Sequence, residues 1–214
     1  MLAWNAAINL TAITDPAAVA RLHVADSLAA VAVLHEGSHR TILDLGSGGG
    51  FPGIPLAAAL PASRVTLLDS VAKKVAFLDA ARRAIGLAGR VDAVKGRAEE
   101  LAVGGGHGHR PGPGTGPWDV VTARAVGSLA DLVELALPLL AAGGRLVAWK
   151  RGEIADELVG AVAAARALGA GAPAVHAVPA GLGLDRHVLV TLLKERPTPP
   201  GYPRDPAARK RRPW

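Results

Sequence analysis

The sequence of 214 residues contains no cysteine, one methionine and aromatic side chains at only 3 % of its positions. The absence of cysteine excludes disulfides, thiolate metal sites and cysteine nucleophiles. No apolar stretch of about 18 residues, the length that a membrane-spanning helix needs, is free of charges or helix breakers. The opening residues MLAWNAAINLT also lack the basic and apolar regions of a signal peptide. We therefore expect a soluble, cytoplasmic protein.

What the chain does contain is an alternation of short strand-like runs and helical segments. Half of the residues are apolar, which is enough for one sizeable core. Strands are predicted at residues 41–45, 64–69, 90–95, 119–124, 145–150 and 187–193, and helices over residues 71–86, 128–144 and 153–170. Strands and helices that alternate at this spacing predict a mainly parallel sheet.

Composition divides the chain into three parts. Residues 1–37 are predicted to form a helical cap, residues 38–196 the sheet domain and residues 197–214 a basic tail. Within the sheet domain, the segment VGGGHGHRPGPGTGP (103–117) has seven glycines and three prolines and is predicted to be a mobile loop. His107 and His109 in this loop form only a weak candidate for a metal pair.

The net charge of +6 is concentrated at the end of the chain. Residues 204–214 (RDPAARKRRPW) carry five basic side chains and one acidic, or +4, which leaves +2 for the rest. A basic tail on a nearly neutral body favours a polyanion as partner, with nucleic acid the commonest candidate. A solvated, disordered tail is the alternative interpretation.

The stretch LDLGSGGGFPGIPLA (43–57) places a glycine-rich loop directly after the first predicted strand. Open α/β sheets bind ligands at this edge. The dinucleotide pattern is poor because Phe51 stands where the third glycine belongs, and no Gly-Lys-Ser/Thr follows to hold a triphosphate. These exclusions favour S-adenosylmethionine, a nucleoside with a cationic tail.

Acidic residues at successive strand ends support the same cofactor. Gly46 and Gly48 would let the main chain approach the methionine portion, and Asp44 could attract its ammonium group through water. Asp69 ends the second predicted strand, where a carboxylate can accept both ribose hydroxyls. The segment GRAEEL (96–101) follows the third strand and could hold the adenine.

Several motifs together resemble one family: WNAAINLTAITDP, HVADSL, LDLGSGGGFPGIPLA, LLDSVAKKVAFL, VTARAVGSL and YPR, in this order. They are similar to the RsmG (GidB) family of bacterial 16S ribosomal RNA methyltransferases. The resemblance implies an α/β class I S-adenosylmethionine-dependent methyltransferase fold, with a Rossmann-like, seven-stranded, mostly parallel sheet and a short N-terminal helical cap. It also implies methyl transfer to N7 of one guanosine. The cofactor-binding residues expected from the motifs and from the strand ends are Gly46, Gly48, Phe51, Asp69, Ala98, Glu99 and Arg124.

Chemistry at guanine N7 agrees with the residues present. N7 has a free lone pair on the base edge, so no general base is needed and no catalytic residue is predicted beyond groups that position the reactants. Arg124 could instead contact guanine O6 or a phosphate, and Phe51 could stack on a base or anchor the core. RNA contacts are expected from Lys150, Arg186, Arg204, Arg209, Lys210, Arg211 and Arg212.

The expected partner is 16S ribosomal RNA or the small ribosomal subunit, with no metal and no membrane, and the protein is expected to be a monomer. Three alternatives remain open from the sequence. They are a methyltransferase of another substrate, a non-catalytic RNA-binding module and, less well supported by the glycine pattern, a nicotinamide-dependent oxidoreductase.

Overall fold

A single twisted sheet organises the computed structural model, which describes residues 1–34, 40–104, 117–178 and 183–214. The strand order is β3-β2-β1-β4-β5-β7-β6. The five strands β1 to β5 pair in parallel, and β7 is antiparallel to both of its neighbours. This confirms the predicted mostly parallel sheet. The strands are β1 (Thr41–Leu45), β2 (Arg64–Asp69), β3 (Val91–Lys95), β4 (Trp118–Arg124), β5 (Leu140–Arg151), β6 (Ala174–Ala177) and β7 (His187–Leu193).

Helices cover both faces of the sheet. They are α1 (Leu2–Ile8), α2 (Pro16–Val19), a π-helical turn (Ala20–Ala25), α3 (Asp26–Leu28), α4 (Ala30–Leu34), α5 (Gly53–Ala59), α6 (Ala72–Ala84), α7 (Ala98–Gly104), α8 (Leu129–Ala136), a 3₁₀ turn (Leu137–Leu139), α9 (Ala155–Leu168) and α10 (Pro206–Arg211). We call the nearly continuous helical stretch of residues 16–34 the cap helix.

Alternation along the strands produces two cores. In β1, Leu43 belongs to the core under α8 and α9, whereas Ile42 belongs to the core under the cap helix, α5 and α6. Val121 and Val120 divide in the same way in β4. Because successive side chains of a strand point to opposite faces, Arg124 of β4 is directed to the cap side, where it meets the cap helix.

The helix predicted over residues 128–144 is shorter than expected, because it ends just before Pro138 and not at the glycines 143 and 144. Ser128 caps α8, which ends at Ala136, the turn around Pro138 follows, and β5 begins at Leu140. Residues 141–144 bulge against the single residue between Trp118 and Val120. Gly144 allows this bulge because a Cβ there would lie 3.0 Å from the carbonyl oxygen of Asp119.

The cap helix is the one helix of the described residues that is long and apolar enough to cross a membrane, judged by length and composition alone. It carries the charged residues Arg21 and Asp26. Asp26, Ala30 and Leu34 are buried and face the sheet at helical spacing. The predicted helical cap is thus packed onto the sheet domain.

The C-terminal segment, residues 202–214, is folded against the sheet domain. It contains α10, which begins at the Asp205 cap, where Oδ1 accepts a hydrogen bond from the amide of Ala208 at 2.9 Å. The sequence indicated only a basic tail there. The predicted boundary at residues 37–38 and residues 105–116 of the predicted mobile loop, including His107 and His109, lie outside the described residues.

Candidate functional site

The glycine loop, residues 46–50, leaves β1 and is held by β2. The amides of Gly46 and Ser47 both donate to the carbonyl of Leu68, at 2.9 and 3.0 Å. Gly46 has a φ of +69°, and a Cβ there would lie 2.7 Å from Cγ2 of Val126. Any side chain at this position would be strained and would collide, so the bare backbone is required where the loop passes Val126.

A cavity of about 190 Å³ opens beside this loop at the carboxyl ends of β2 and β3. We call it the Asp69 cavity. Four of the predicted cofactor-binding residues line it together: Gly46, Asp69, Ala98 and Glu99. The remaining wall is formed by Leu45, Leu68, Ser70, Gly96, Arg97, Val126, Leu135 and Arg209. The sequence argument from successive strand ends therefore located one shared cavity.

Asp69 links the cavity to the glycine loop. Its Oδ2 accepts a hydrogen bond from the amide of Gly48 at 2.9 Å, and its Oδ1 accepts one from the amide of Val71 at 2.9 Å. Gly48, the fifth predicted residue, is thereby held next to the cavity. Each carboxylate oxygen can accept a further bond, so Asp69 can hold the loop and also bind hydroxyl groups in the cavity.

Arg124, at the end of β4, lies in a separate cluster against the cap helix. Its Nη1 donates to Oδ2 of Asp26 at 3.1 Å and to the carbonyl of Leu22 at 3.3 Å. Its Cζ is 5.4 Å from the centre of the Phe51 ring, and His23 is stacked on that ring at 4.9 Å between ring centroids. Phe51 and Arg124, the other two predicted cofactor-binding residues, therefore lie together but outside the wall of the Asp69 cavity.

His23 supports this cluster as a neutral side chain. Because an arginine can only donate, Nδ1 of His23 accepts from Nη2 of Arg124 at 3.2 Å, and the proton on Nε2 is donated to Oγ1 of Thr11 at 2.7 Å. Burial lowers the pKa of His23, and the charge of Arg124 lowers it further. His23 is thus a packed, hydrogen-bonded partner of Arg124.

A second cavity, of about 240 Å³, lies at the ends of β4, β5 and β7. We call it the Trp149 cavity. Asp26 is buried in its wall, where Oδ1 accepts from Nδ1 of His187 at 2.9 Å, and the Asp26 carbonyl accepts from the Trp149 indole at 2.9 Å. One carboxylate thus fixes Arg124 and His187 on the same side of the cavity. The other residues that line the Trp149 cavity are Ala125, Val126, Leu132, Lys150 and Arg151.

The two cavities meet at the turn after β4. Ala125 has a φ of +59°, a left-handed conformation that alanine rarely adopts. This kink lies between Arg124, which turns towards the cap helix, and Val126, which lines both cavities. Strained residues of this kind cluster at functional sites, and here the strain lies where two bound groups would face each other.

Four residues of this arrangement were missed by the sequence analysis as site residues. Trp149 and His187 lie in predicted strands with no local signal, and Asp26 stands in the HVADSL motif without an assigned role. Arg209 was attributed to RNA because it lies in a run of cations. Among the described residues, no group of three or more His, Cys, Asp or Glu side chains could hold a metal ion.

The predicted RNA-binding residues divide into exposed and paired ones. Arg186, Lys210, Arg211 and Arg212 are exposed. The paired residues donate to carboxylates of the protein: Lys150 to Glu157 at 2.5 Å, Arg204 to Glu134 at 2.6 Å and Arg209 to Glu99 at 2.5 Å. The side chains of Arg204 and Arg209 are not free to contact phosphates in this conformation.

Asp44 is turned away from both cavities. It has no exposed surface, and its carboxylate accepts from Oγ1 of Thr122 at 2.8 Å and from the amide of Gly53 at 3.1 Å. Burial raises the pKa of Asp44 to about 6, against the opposing effect of these hydrogen bonds. The structure does not bring Asp44 to the cavity wall, where the sequence suggested a contact with an ammonium group.

We expect Asp44→Asn to stabilise the protein at pH 8 and to have little effect at pH 4. The unfolded chain ionises Asp44 near pH 3.8 and the folded chain near about 6. The protonated Asp44 therefore makes its full contribution to the free energy of unfolding below pH 3.8, and this contribution is lost as the pH rises through about 6. The difference between these two pKa values corresponds to about 3 kcal/mol in the free energy of unfolding. An asparagine has no charge to bury and can serve both partners.

Urea unfolding of both proteins at pH 4 and pH 8 measures this effect, with Asp156→Asn on the surface of α9 as the matched control. A difference that does not change with pH would contradict the assignment of the buried proton to Asp44.

Comparisons with known proteins agree with this geometry. A family model described as GidB, rRNA small subunit methyltransferase G, matches residues 1–189. The ribosomal RNA small subunit methyltransferase G of Symbiobacterium thermophilum is 38 % identical over 205 residues, covering 94 % of this chain and 80 % of the relative. The protein of the same name from Roseiflexus castenholzii is 43 % identical over 202 residues, covering 94 % of this chain and 82 % of the relative.

Solved structures are similar in fold. The S-adenosylmethionine-dependent methyltransferase SibL in its apo form aligns with a TM-score of 0.63 at 18 % identity, covering 84 % of this chain and 56 % of that protein. Cofactor-bound Rv0187 from MTB aligns with a TM-score of 0.58 at 22 % identity, covering 91 % of this chain and 88 % of that protein. At these identities the likeness concerns the fold.

Proposed function

The chain belongs to the GidB family, rRNA small subunit methyltransferase G, and we propose from this premise how its residues carry out the reaction. The enzyme transfers the methyl group of S-adenosylmethionine to N7 of a guanosine in 16S ribosomal RNA. The observation that carries the assignment of the site is the Asp69 cavity, which joins the glycine loop, Asp69 and Glu99 at adjacent strand ends.

The Asp69 cavity fits the nucleoside of the cofactor. Asp69 keeps free lone pairs that would accept from the ribose hydroxyls, and Ala98 with Glu99 would form the wall beside the adenine. Gly46 and Gly48 allow the main chain to lie against the methionine portion, since a Cβ at Gly46 would already meet Val126 at 2.7 Å. The cofactor supplies a methyl group activated by a sulfonium charge. The residues bind and orient it.

The Trp149 cavity is the place for the target base. It is separated from the Asp69 cavity by Val126, so that a base and the cofactor would approach each other past this side chain. Arg124, Lys150 and Arg151 make its wall cationic, which suits the acceptor O6 of guanine and a neighbouring phosphate. Guanine N7 carries no proton to remove, so the work of these residues is to hold the base in line.

Exposed cations would bind the phosphates of the RNA backbone near the Trp149 cavity. Arg186 is exposed and precedes His187, which lines the Trp149 cavity, and Lys210, Arg211 and Arg212 are exposed on the C-terminal segment. Such contacts add affinity without sequence choice and weaken as salt rises. We further propose that the protein is a cytoplasmic monomer and that it acts on the small subunit or its RNA.

Methyl transfer is tested with labelled S-adenosylmethionine and either naked 16S RNA or small subunits that lack the modification, followed by mapping of the label. Label at N7 of one guanine is expected with at least one of these substrates. Label at another atom, or none with either substrate despite cofactor binding, would contradict the proposal.

Asp69→Asn tests the cofactor site itself. The substitution keeps the size of the side chain but removes its charge and replaces one of its two acceptor oxygens with an NH₂ group that can only donate. We expect the Kd of S-adenosylhomocysteine, measured by calorimetry, to rise about 10- to 100-fold. Asp156→Asn on α9, outside the Asp69 cavity, is the control and is expected to bind as the unchanged protein does. Equal affinities of the unchanged protein and both variants would contradict a role of Asp69 in cofactor binding.

A further inference from the structure

The C-terminal segment is anchored at both of its ends by one buried carboxylate. Glu134 of α8 has no exposed surface, and its Oε2 accepts from Nη2 of Arg204 and from Nε1 of Trp214, each at 2.6 Å. Nη1 of Arg204 donates in turn to the carbonyl of Arg212 at 2.8 Å. The segment is therefore a closed loop with a defined position on the sheet domain.

Between these anchors, α10 turns one cation inward and leaves its neighbours outside. The side chain of Arg209 is only 13 % exposed, lines the Asp69 cavity, and donates through Nη2 to Oε1 of Glu99 at 2.5 Å. Lys210 and Arg211, the next two residues, are exposed. The cations of this run thus lie in two different environments, one in the wall of the Asp69 cavity and one in solvent, and the sequence alone does not distinguish them.

Arg209 also has a donor that the protein does not use. Its Nη1 is buried and has no hydrogen-bond partner among the described residues. A guanidinium cannot lose its proton at ordinary pH, and a buried donor without an acceptor costs free energy. Arg209 lines the Asp69 cavity and also a cavity of about 780 Å³ between α8, α9 and the C-terminal segment, and a molecule in the Asp69 cavity can supply the missing acceptor. The ring nitrogens and ribose oxygens of a nucleoside are such acceptors.

We propose that Arg209 is a binding residue of the cofactor site and not a phosphate contact. Its Nη2 fixes the carboxylate of Glu99, its Nη1 donates to the bound nucleoside, and the C-terminal segment thereby completes the Asp69 cavity. The inference rests on the proposed cofactor site at Asp69 and Glu99.

Calorimetry with S-adenosylhomocysteine and full-length Arg209→Ala tests the proposal, with Arg211→Ala as the matched control for the loss of one cation from α10. We expect the Kd of Arg209→Ala to rise tenfold or more, because a charged hydrogen bond and the support of Glu99 are both lost. The Kd of Arg211→Ala is expected to stay within twofold. Arg209→Lys keeps the charge but cannot serve two acceptors in the same way, and is expected to bind more weakly than the unchanged protein.

The salt dependence of RNA binding provides a second readout with the opposite expectation. Arg211→Ala is expected to lower the slope of log affinity against log salt by about one, whereas Arg209→Ala is expected to leave it unchanged. Thermal unfolding of each variant verifies that the segment still folds, and Arg209→Lys carries the test if the alanine variant does not.

Two outcomes separate this inference from the site on which it rests. If Asp69→Asn weakens binding and both Arg209 variants bind the nucleoside as the unchanged protein does, Arg209 is not a binding residue and the site stands. If neither Asp69→Asn nor the Arg209 variants change the Kd, the cofactor site at the Asp69 cavity is wrong as well. Equal losses in Arg209→Ala and Arg211→Ala would attribute the effect to net charge and overturn the inference.

Discussion

Arg124→Ala is expected to lower the rate of methyl transfer by at least about 100-fold, because the group that shapes the cap side of the Trp149 cavity is removed and small misplacements of reactants are costly. The fold is expected to persist, since Asp26 keeps its hydrogen bond from His187 at 2.9 Å. Single-turnover transfer at saturating cofactor and RNA measures the effect, and circular dichroism monitors the fold.

Arg166→Ala, on the exposed face of α9, is the matched control for the loss of one arginine. Arg124→Lys is a second variant: it restores the charge, but a single ammonium group cannot reproduce the contacts with Asp26, His23 and the Leu22 carbonyl. We expect it to remain impaired. A rate for Arg124→Ala equal to that of the unchanged protein would falsify the role assigned to this cluster.

The sequence predicted the sheet and the proximity of Gly46, Asp69 and Glu99 at one edge of it, because both depend on local order. Alternating strands and helices define a parallel sheet, and the carboxyl ends of its strands lie at one edge. Gly46 follows β1, Asp69 ends β2, and Ala98 and Glu99 begin the helix after β3, so their positions along the chain were sufficient to bring them together.

The rest depends on contacts between distant parts of the chain. Asp26 meets His187 from 161 positions away, and Arg209 meets Glu99 from 110 positions away. No pattern of spacing indicates such a pairing, because it follows from how helices lie across the finished sheet. Arg209 illustrates the physical reason: a count of cations gives the charge of a segment but not which of them a buried carboxylate neutralises.

The strand predicted at residues 145–150 is confirmed as part of β5, but the start of β5 at Leu140 was missed for a different reason. Residues 128–144 contain strong helix formers, and the glycines at 143 and 144 resemble a helix end. In the structure the same glycines allow a bulge that lets β5 pair with β4. The short strand β6 escaped prediction because its sequence, AVHA, carries no apolar alternation of its own, and three of its four residues are exposed in the structure.

Glu134→Ala is expected to lower the free energy of unfolding by about 3 kcal/mol, because removing one partner of a buried ion pair leaves the other without compensation. Burial alone would raise the pKa of Glu134, but the hydrogen bonds from Arg204 and Trp214 outweigh burial and lower it. The stability from this carboxylate is therefore present above pH 4.5, its usual pKa, and is lost as the pH falls through the lower folded value. Urea unfolding at pH 7 measures the change.

The same substitution is expected to release the C-terminal segment, since Arg204 and Trp214 have Glu134 as their common acceptor. Trypsin should then cleave after Lys210 and Arg211 faster than in the unchanged protein, while Glu153→Ala, which removes an exposed carboxylate, should change neither stability nor cleavage. Unaltered cleavage in Glu134→Ala would mean that other contacts hold the segment. A released segment that also weakens nucleoside binding would connect the buried carboxylate of α8 to the cofactor cavity through Arg209.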